Sequence, residues 1–167
     1  MHNDLTAQDV AMMQKELDHR KLELMPELIE EVKRTRAFGD LSENFEYKAA
    51  KQEKNRNESR IRYLENMIRT ARVLKEEGPA DGVGLYDKVT VYLEDEEDTE
   101  TYQVVTTMRQ DALHGLIRKE SPVGKALLGR KVGEIVHIQV NEKYGYDAKI
   151  LSIEKGEDDG SVPLRGF

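Results

Sequence analysis

Two long stretches of helix-forming residues are interrupted once, by Gly39-Asp40-Leu41-Ser42-Glu43-Asn44. The segments on either side, about 5–37 and 43–76, are rich in Leu, Glu, Lys, Arg, Met and Ala, all residues that lose little on entering a helix. At 1.5 Å per residue each arm reaches roughly 45–50 Å. In the first arm Val10, Met13, Leu17, Leu24 and Leu28 recur at helical spacing, widened by Ile29 and Val32; in the second, Tyr47, Ala50, Ile61, Leu64, Ile68 and Ala71 do the same. Such stripes predict two antiparallel helices zipped along one seam. The seam is thin between Lys51 and Arg60, where apolar residues are scarce. Pro26 lies inside the first arm and is expected to kink or restart it, because it lacks a backbone donor.

The bend places two carboxylates at the far end of this hairpin. Gly39 suits the end of the first helix, since glycine takes the left-handed conformation freely. Asp40 or Ser42 can cap the second helix, and Asp40 with Glu43 fits a D-x-x-E capping box. Spacing alone favours this structural role for both acids.

The segment Glu76-Glu77-Gly78-Pro79-Ala80-Asp81-Gly82 breaks the helical pattern and reads as a linker. Beyond it the period changes to that of strands: Lys88–Leu93 and Thr101–Thr106 around an acidic turn, a short strand at Leu116–Ile117, then Glu134–Val140 and Tyr144–Ile153. Ser121-Pro122 starts a short helix, with Ser as cap and Pro at the first helical position, ending at Gly129. The fold class is therefore α+β. Residues 1–77 form the hairpin with its acidic end at 39–44, residues 78–82 the linker and 83–155 a small sheet domain with one helix. The polar, Gly-rich stretch 156–167 reads as a disordered tail.

Composition narrows the function. The 167 residues contain no cysteine, which excludes disulfides, thiolate metal sites and cysteine catalysis. No run approaches the roughly 18 apolar residues of a membrane span, and the N-terminus lacks a signal pattern. A soluble, cytoplasmic protein without a membrane partner is expected. Net charge is −7, and residues 79–167 carry most of it, so the sheet domain is a poor surface for DNA in general. Lys48, Lys51, Lys54, Arg56, Arg60 and Arg62 crowd the start of the second arm, diluted by Glu53 and Glu58. Charge alone favours a solvated face with i,i+4 pairs over a nucleic-acid contact. His2, His19, His114 and His137 lack metal-ligand spacing.

Three segments carry a family resemblance: Gly39-Asp40-Leu41-Ser42-Glu43-Asn44 with Glu46-Tyr47 and Ala49-Ala50-Lys51; Arg60-Ile61 with Leu64-Glu65; and Ser121-Pro122-Val123-Gly124-Lys125-Ala126-Leu127-Leu128-Gly129 with Lys131-Val132-Gly133. From about Leu5 to Glu154 the chain resembles the GreA/GreB family of bacterial transcript-cleavage factors, nearer its GreA branch. The resemblance implies an N-terminal antiparallel coiled coil and a C-terminal FKBP-like domain. It implies binding to bacterial RNA polymerase through the second domain, insertion of the coiled coil into the secondary channel, and stimulated hydrolysis of the nascent RNA 3′ end in backtracked complexes. Asp40 and Glu43 match the acidic tip positions, Arg36 and Lys51 the basic positions that contact RNA, and Ser121 and Pro122 the segment that docks on the polymerase.

The chemistry suits these residues. Mg²⁺ takes one or two protein carboxylates plus phosphate oxygens and waters. Asp40 and Glu43 could hold such an ion jointly with the polymerase, one ligating it while the other orients or deprotonates its water. No ion is expected to be held stably by this chain alone. The protein would thus be an accessory factor that completes another enzyme's site, and not an enzyme itself. A hairpin that satisfies its own seam favours a monomer. Phe45 stands where the family commonly has Ala. It could stack on a base, pack on the channel wall or fold back near Phe38 as a local staple, and local packing is favoured.

Three other readings are open. A polymerase regulator could occupy the same channel without cleavage. A prolyl isomerase suits the implied second-domain fold, but Phe38, Phe45 and Phe167 all lie outside the sheet domain and there is no Trp to line such a site. A plain coiled-coil adaptor leaves the acidic end unexplained.

Overall fold

The structure is a computed structural model, and it describes residues 3–39, 44–75 and 80–166. The chain divides into two compact units. One is built from Val10–Arg72, and the other from Asp4–Asp9 with Val73–Gly166.

The first unit is a helical hairpin. Its first arm runs through α1 (Ala7–His19), a π-helical turn at Arg20–Leu24 and α2 (Met25–Arg36); its second arm is α3 (Phe45–Arg69). The expected disturbance at Pro26 therefore takes the form of a π turn, one residue wider than an α turn, immediately before the proline's helix restarts. Met25 N–H donates to Arg20 O across that turn, and Pro26 occupies the first turn of α2, where a missing N–H costs least. Short strands β1 (Asn3–Leu5) and β2 (Ala71–Val73) pair with each other. At three residues each they carry no readable period.

Apolar packing along the hairpin is concentrated at Met13, Leu17, Ala50, Leu64 and Met67. The thin middle of the seam is filled by polar side chains. Asn57 and Arg60 are buried, and they fall in phase with Ala50, Leu64 and Met67 on the inner face. Arg60 Nε donates to Glu16 Oε2 at 2.7 Å, and Arg20 Nε donates to the same oxygen at 2.9 Å. Arg20 Nη1 donates to Asn57 Oδ1 at 2.9 Å, while Asn57 Nδ2 donates back to Arg20 O at 3.2 Å. The carbonyl engaged by Asn57 is the one that accepts the π-turn bond from Met25. Burial alone would push the Glu16 carboxyl up, but the hydrogen bonds from Arg60 and then Arg20 outweigh it and hold it below the usual carboxylate range.

The second unit contains a five-stranded mixed sheet in the order β5-β4-β3-β7-β6. Its strands are β3 (Lys88–Leu93), β4 (Asp98–Val105), β5 (Leu116–Arg118), β6 (Ile135–Gln139) and β7 (Gly145–Glu154). Only the β4–β5 pair is parallel. Alternation in β3 buries Val89, Val91 and Leu93 on one face. These meet Val83, Val104, Val136, Ile138, Ala148, Ile150 and Leu127, the last from helix α4 (Pro122–Leu127). Opposite the step from Thr90 to Val91, strand β7 carries the extra residue Leu151 between Ser152 and Ile150, and this bulge leaves Leu151 exposed.

Composition suggests disorder after Lys155, yet Gly156–Gly166 makes defined contacts. Gly156 N donates to Asp87 Oδ1 at 2.9 Å and Arg165 N to Met108 O at 2.6 Å. Asp158 accepts from Arg109 Nη1 at 2.9 Å and from Thr6 Oγ1 at 3.0 Å. Arg109 is fully buried, with Asp9 Oδ1 3.3 Å from its Nε and the Tyr86 hydroxyl 3.0 Å from its Nη1. A charge buried that deeply has to be met by opposite charge, and a residue far along the sequence supplies half of it. Tyr86 itself takes a left-handed backbone, φ 68°. Burial, followed by the Asp9 charge, pushes its hydroxyl well above the ordinary tyrosine range.

Among the described residues, no helix is long and apolar enough to cross a membrane.

Candidate functional site

The two helical arms approach the acidic bend through a defined local structure. The last turn of α2 is closed by Ala37 N donating to Lys33 O and Phe38 N to Thr35 O, each at 3.2 Å. Gly39 then takes φ 102°, in the region that favours glycine, as expected of the residue ending the first arm. The second arm starts differently from expectation. Its cap is Asn44, not Asp40 or Ser42: Asn44 Oδ1 accepts from Tyr47 N at 3.0 Å. Asn44 Nδ2 reaches back to Thr35 O at 2.7 Å. One amide thus ties the end of α2 to the start of α3. Its type was visible in the sequence, but its position three residues before Tyr47 is what fits it for the cap. Asp40 and Glu43, the proposed catalytic and metal-holding pair, lie outside the described residues.

Flanking the bend, Phe38 and Phe45 do not form the expected staple. Phe45 is 79% exposed and Phe38 56%. Each ring lies beneath a cation: the Arg34 guanidinium is 5.3 Å from the Phe38 centroid, and the Lys48 ammonium 5.7 Å from that of Phe45. Arg34 is held in turn by a two-pronged pair with Glu31, its Nε at 3.0 Å and Nη2 at 2.6 Å. The hydrogen bond from Arg34 is the main reason the Glu31 carboxyl falls below its usual range.

Of the two basic positions, Arg36 is exposed in the last turn of α2, and Lys51 is exposed in the second turn of α3. Lys51 joins Lys48 and Arg56 in a shallow groove lined also by Gln52, Asn55 and Ser59. No carboxylate is among these lining residues. The groove gathers three cations near the bend, and the solvated face with charge pairs favoured from the sequence is present on the same helix: Arg56 Nη1 lies 3.8 Å from Glu53 Oε1 and Lys54 Nζ 2.9 Å from Glu58 Oε1.

Ser121 and Pro122 lie in the second unit. Ser121 caps α4 as expected, its Oγ accepting from Gly124 N at 3.0 Å, with Pro122 at the first helical position. Gly124 is required by space: a Cβ there would sit 2.3 Å from Arg118 O. Among the described residues, no three His, Asp or Glu side chains gather where they could hold a metal ion.

Comparisons with known proteins agree with this organisation. Residues 3–73 match the family model for the transcription elongation factor N-terminal domain, and residues 78–155 match that for the GreA/GreB C-terminal domain. The chain is 40% identical to transcription elongation factor GreA of Streptococcus gordonii over 152 residues, 90% of this chain and 94% of that protein. It is 40% identical to GreA of Bacillus subtilis over 135 residues, 81% of this chain and 86% of that one. Among solved structures it is similar to GreA factor homolog 1 of Thermus thermophilus, at 26% identity and a TM-score of 0.44, covering 93% of this chain and all of that one. With both of its parts matched and these identities sustained along nearly its full length, the chain belongs to the GreA/GreB family of transcription elongation factors.

Proposed function

We propose that this chain binds bacterial RNA polymerase, places the end of its helical hairpin in the secondary channel and stimulates the polymerase's cleavage of the nascent RNA 3′ end in backtracked complexes. The observation that carries this reading is the position of Asp40 and Glu43 in the connection between two antiparallel arms, one of them an unbroken helix of 25 residues. A stiff support of that length delivers its end to a deep site, and Asn44 braces the two arms where the connection begins. Magnesium, when held between such carboxylates and the polymerase, would supply Lewis-acid activation of water at the scissile phosphodiester. The donor set suits it, since hard carboxylate oxygens are what this ion takes from proteins. Asp40 and Glu43 would hold or orient the ion and its water, while Arg36 and Lys51 would hold RNA phosphates without reading sequence. Ser121 and Pro122, at the rigid start of α4, would lie in the polymerase-docking surface. The chain then acts as an accessory factor.

The test is RNA shortening in arrested elongation complexes, with Mg²⁺ titrated, comparing the wild type with Asp40→Ala and Glu43→Ala. Wild type should release short 3′ fragments, and each variant should lose about a hundredfold or more in rate, as removal of a general acid–base group does. Full-length RNA with wild type bound to polymerase would overturn the cleavage reading and favour a channel-occupying regulator.

A further inference from the structure

Phe45 is the most exposed aromatic residue described, and it begins the helix next to the acidic connection. A ring left 79% open to water is unfavourable by itself, since its apolar area stays hydrated. It is also not free to wander: Lys48, one turn on, places its ammonium 5.7 Å from the ring centroid. The cationic groove continues along the same helix face. Phe45, Lys48, Gln52, Asn55 or Arg56, and Ser59 follow one another at spacings of three or four. This puts an aromatic platform at the end of a strip bearing Lys48, Lys51 and Arg56. An aromatic face in line with cations is the arrangement by which proteins hold single-stranded nucleic acid whatever its sequence. An apolar protein wall would use the ring and not the cations beside it.

We infer that Phe45 is a stacking platform for the unpaired nucleobase at the RNA 3′ end, with Lys48 and Lys51 beside it to receive the adjoining phosphates. The inference rests on the cleavage reading above for its substrate. In that setting the base, held flat on the ring, immobilises the 3′ nucleotide next to the carboxylate-bearing connection. Phe45 is a positioning residue, and purines, with the larger stacking surface, gain more from it than pyrimidines.

Two measurements test this on the full chain bound to backtracked polymerase. In the first, 4-thiouridine is placed at the RNA 3′ end, Mg²⁺ is withheld so that no RNA is cut, and photocrosslinks are mapped; the expected crosslink is at Phe45. In the second, RNA shortening is timed for wild type, Phe45→Ala, Phe45→Trp and Phe45→Leu on RNAs ending in a purine, a pyrimidine or an abasic ribose. Phe45→Ala should be about tenfold slower on the purine end, in keeping with the loss of one stacked base. Phe45→Trp should restore the rate and Phe45→Leu should not, and the abasic end should make wild type and Phe45→Ala equal. A Leu variant as fast as wild type would mean that the ring meets the channel wall, and the inference falls. It falls equally if no crosslink reaches residue 45, or if Phe45→Ala matches wild type on every RNA that is cut. If the crosslink forms at Phe45 but wild type shortens no RNA, stacking stands and the cleavage reading fails.

Discussion

The middle of the hairpin seam and the core of the sheet unit solve the same problem in opposite ways. The sheet core is apolar throughout, with Val89, Val91, Val104, Ile138 and Ile150 closed off from water. Each such side chain contributes about 1.5–3 kcal/mol by leaving water, with little regard to its exact neighbour. The seam instead buries Asn57 and Arg60 and joins them to Glu16 and Arg20. A buried ion pair adds little net stability against an apolar replacement, but it tolerates only one partner. Two helices with a thin apolar stripe could slide past each other by a turn. The Glu16–Arg60 and Arg20–Asn57 bonds exist in one register only. The core therefore favours stability, and the seam favours one alignment of the two arms.

This contrast can be broken most severely in the core. Ile150→Ala should cost about 4 kcal/mol, within the range for buried large-to-small changes, and thermal or denaturant unfolding followed by near-UV signals from the sheet tyrosines would read it. Arg60→Ala comes next. It leaves Glu16 with Arg20 as its remaining partner and should cost about 2 kcal/mol, the worth of a hydrogen bond to a charged group, measured by helical circular dichroism during unfolding. The pair Glu16→Met with Arg60→Met sharpens the comparison: stability should return to within about 1 kcal/mol of wild type. Cross-arm distances from spin labels near Leu28 and Lys51 should then broaden, because only the Arg20–Asn57 bonds remain to fix the register. A distribution as narrow as wild type would remove the alignment role. Asn44→Ala should cost about 1 kcal/mol, the worth of a side-chain cap, and should be seen first as faster amide exchange at Tyr47. The smallest effect is on pH. The folded Glu16 carboxyl lies below its usual 4.5, so its share of hairpin stability is complete above that value. It is lost as pH falls through the lowered folded pKa, and Glu16→Gln should flatten that part of the stability profile.

How much of this was legible in the sequence depends on how local each cause is. Strand β3 was read to the residue because Val89, Val91 and Leu93 alternate, and the start of α4 because Ser121-Pro122 carries a cap and a helical first position in adjacent residues. Asp98, Thr99 and Glu100 were read as turn but belong to β4, since exposed polar positions on a ladder give no hydrophobic signal. Strands β1 and β2 were missed for the same want of period. The seam's polar middle looked like a weakness because Asn57 and Arg60 do not count as core residues, although their phase with Ala50 and Leu64 was there to be read. The cap fell on Asn44 because its amide can serve both helices at once. Phe45 lies open with the Lys48 ammonium 5.7 Å from its ring centroid, an arrangement that spacing alone does not settle. Arg109 could not be foreseen at all, because its partners come from positions 9 and 158.

That last grouping bears on how the molecule can be dissected. Cutting out the sheet unit at the margins of its family match, residues 78–155, would remove both Asp9 and Asp158. The guanidinium of Arg109 would remain in a dry interior with neither counter-ion. Such an excised fragment would expel the arginine or loosen around it, and its weakness would say nothing of the unit as it exists in the whole chain.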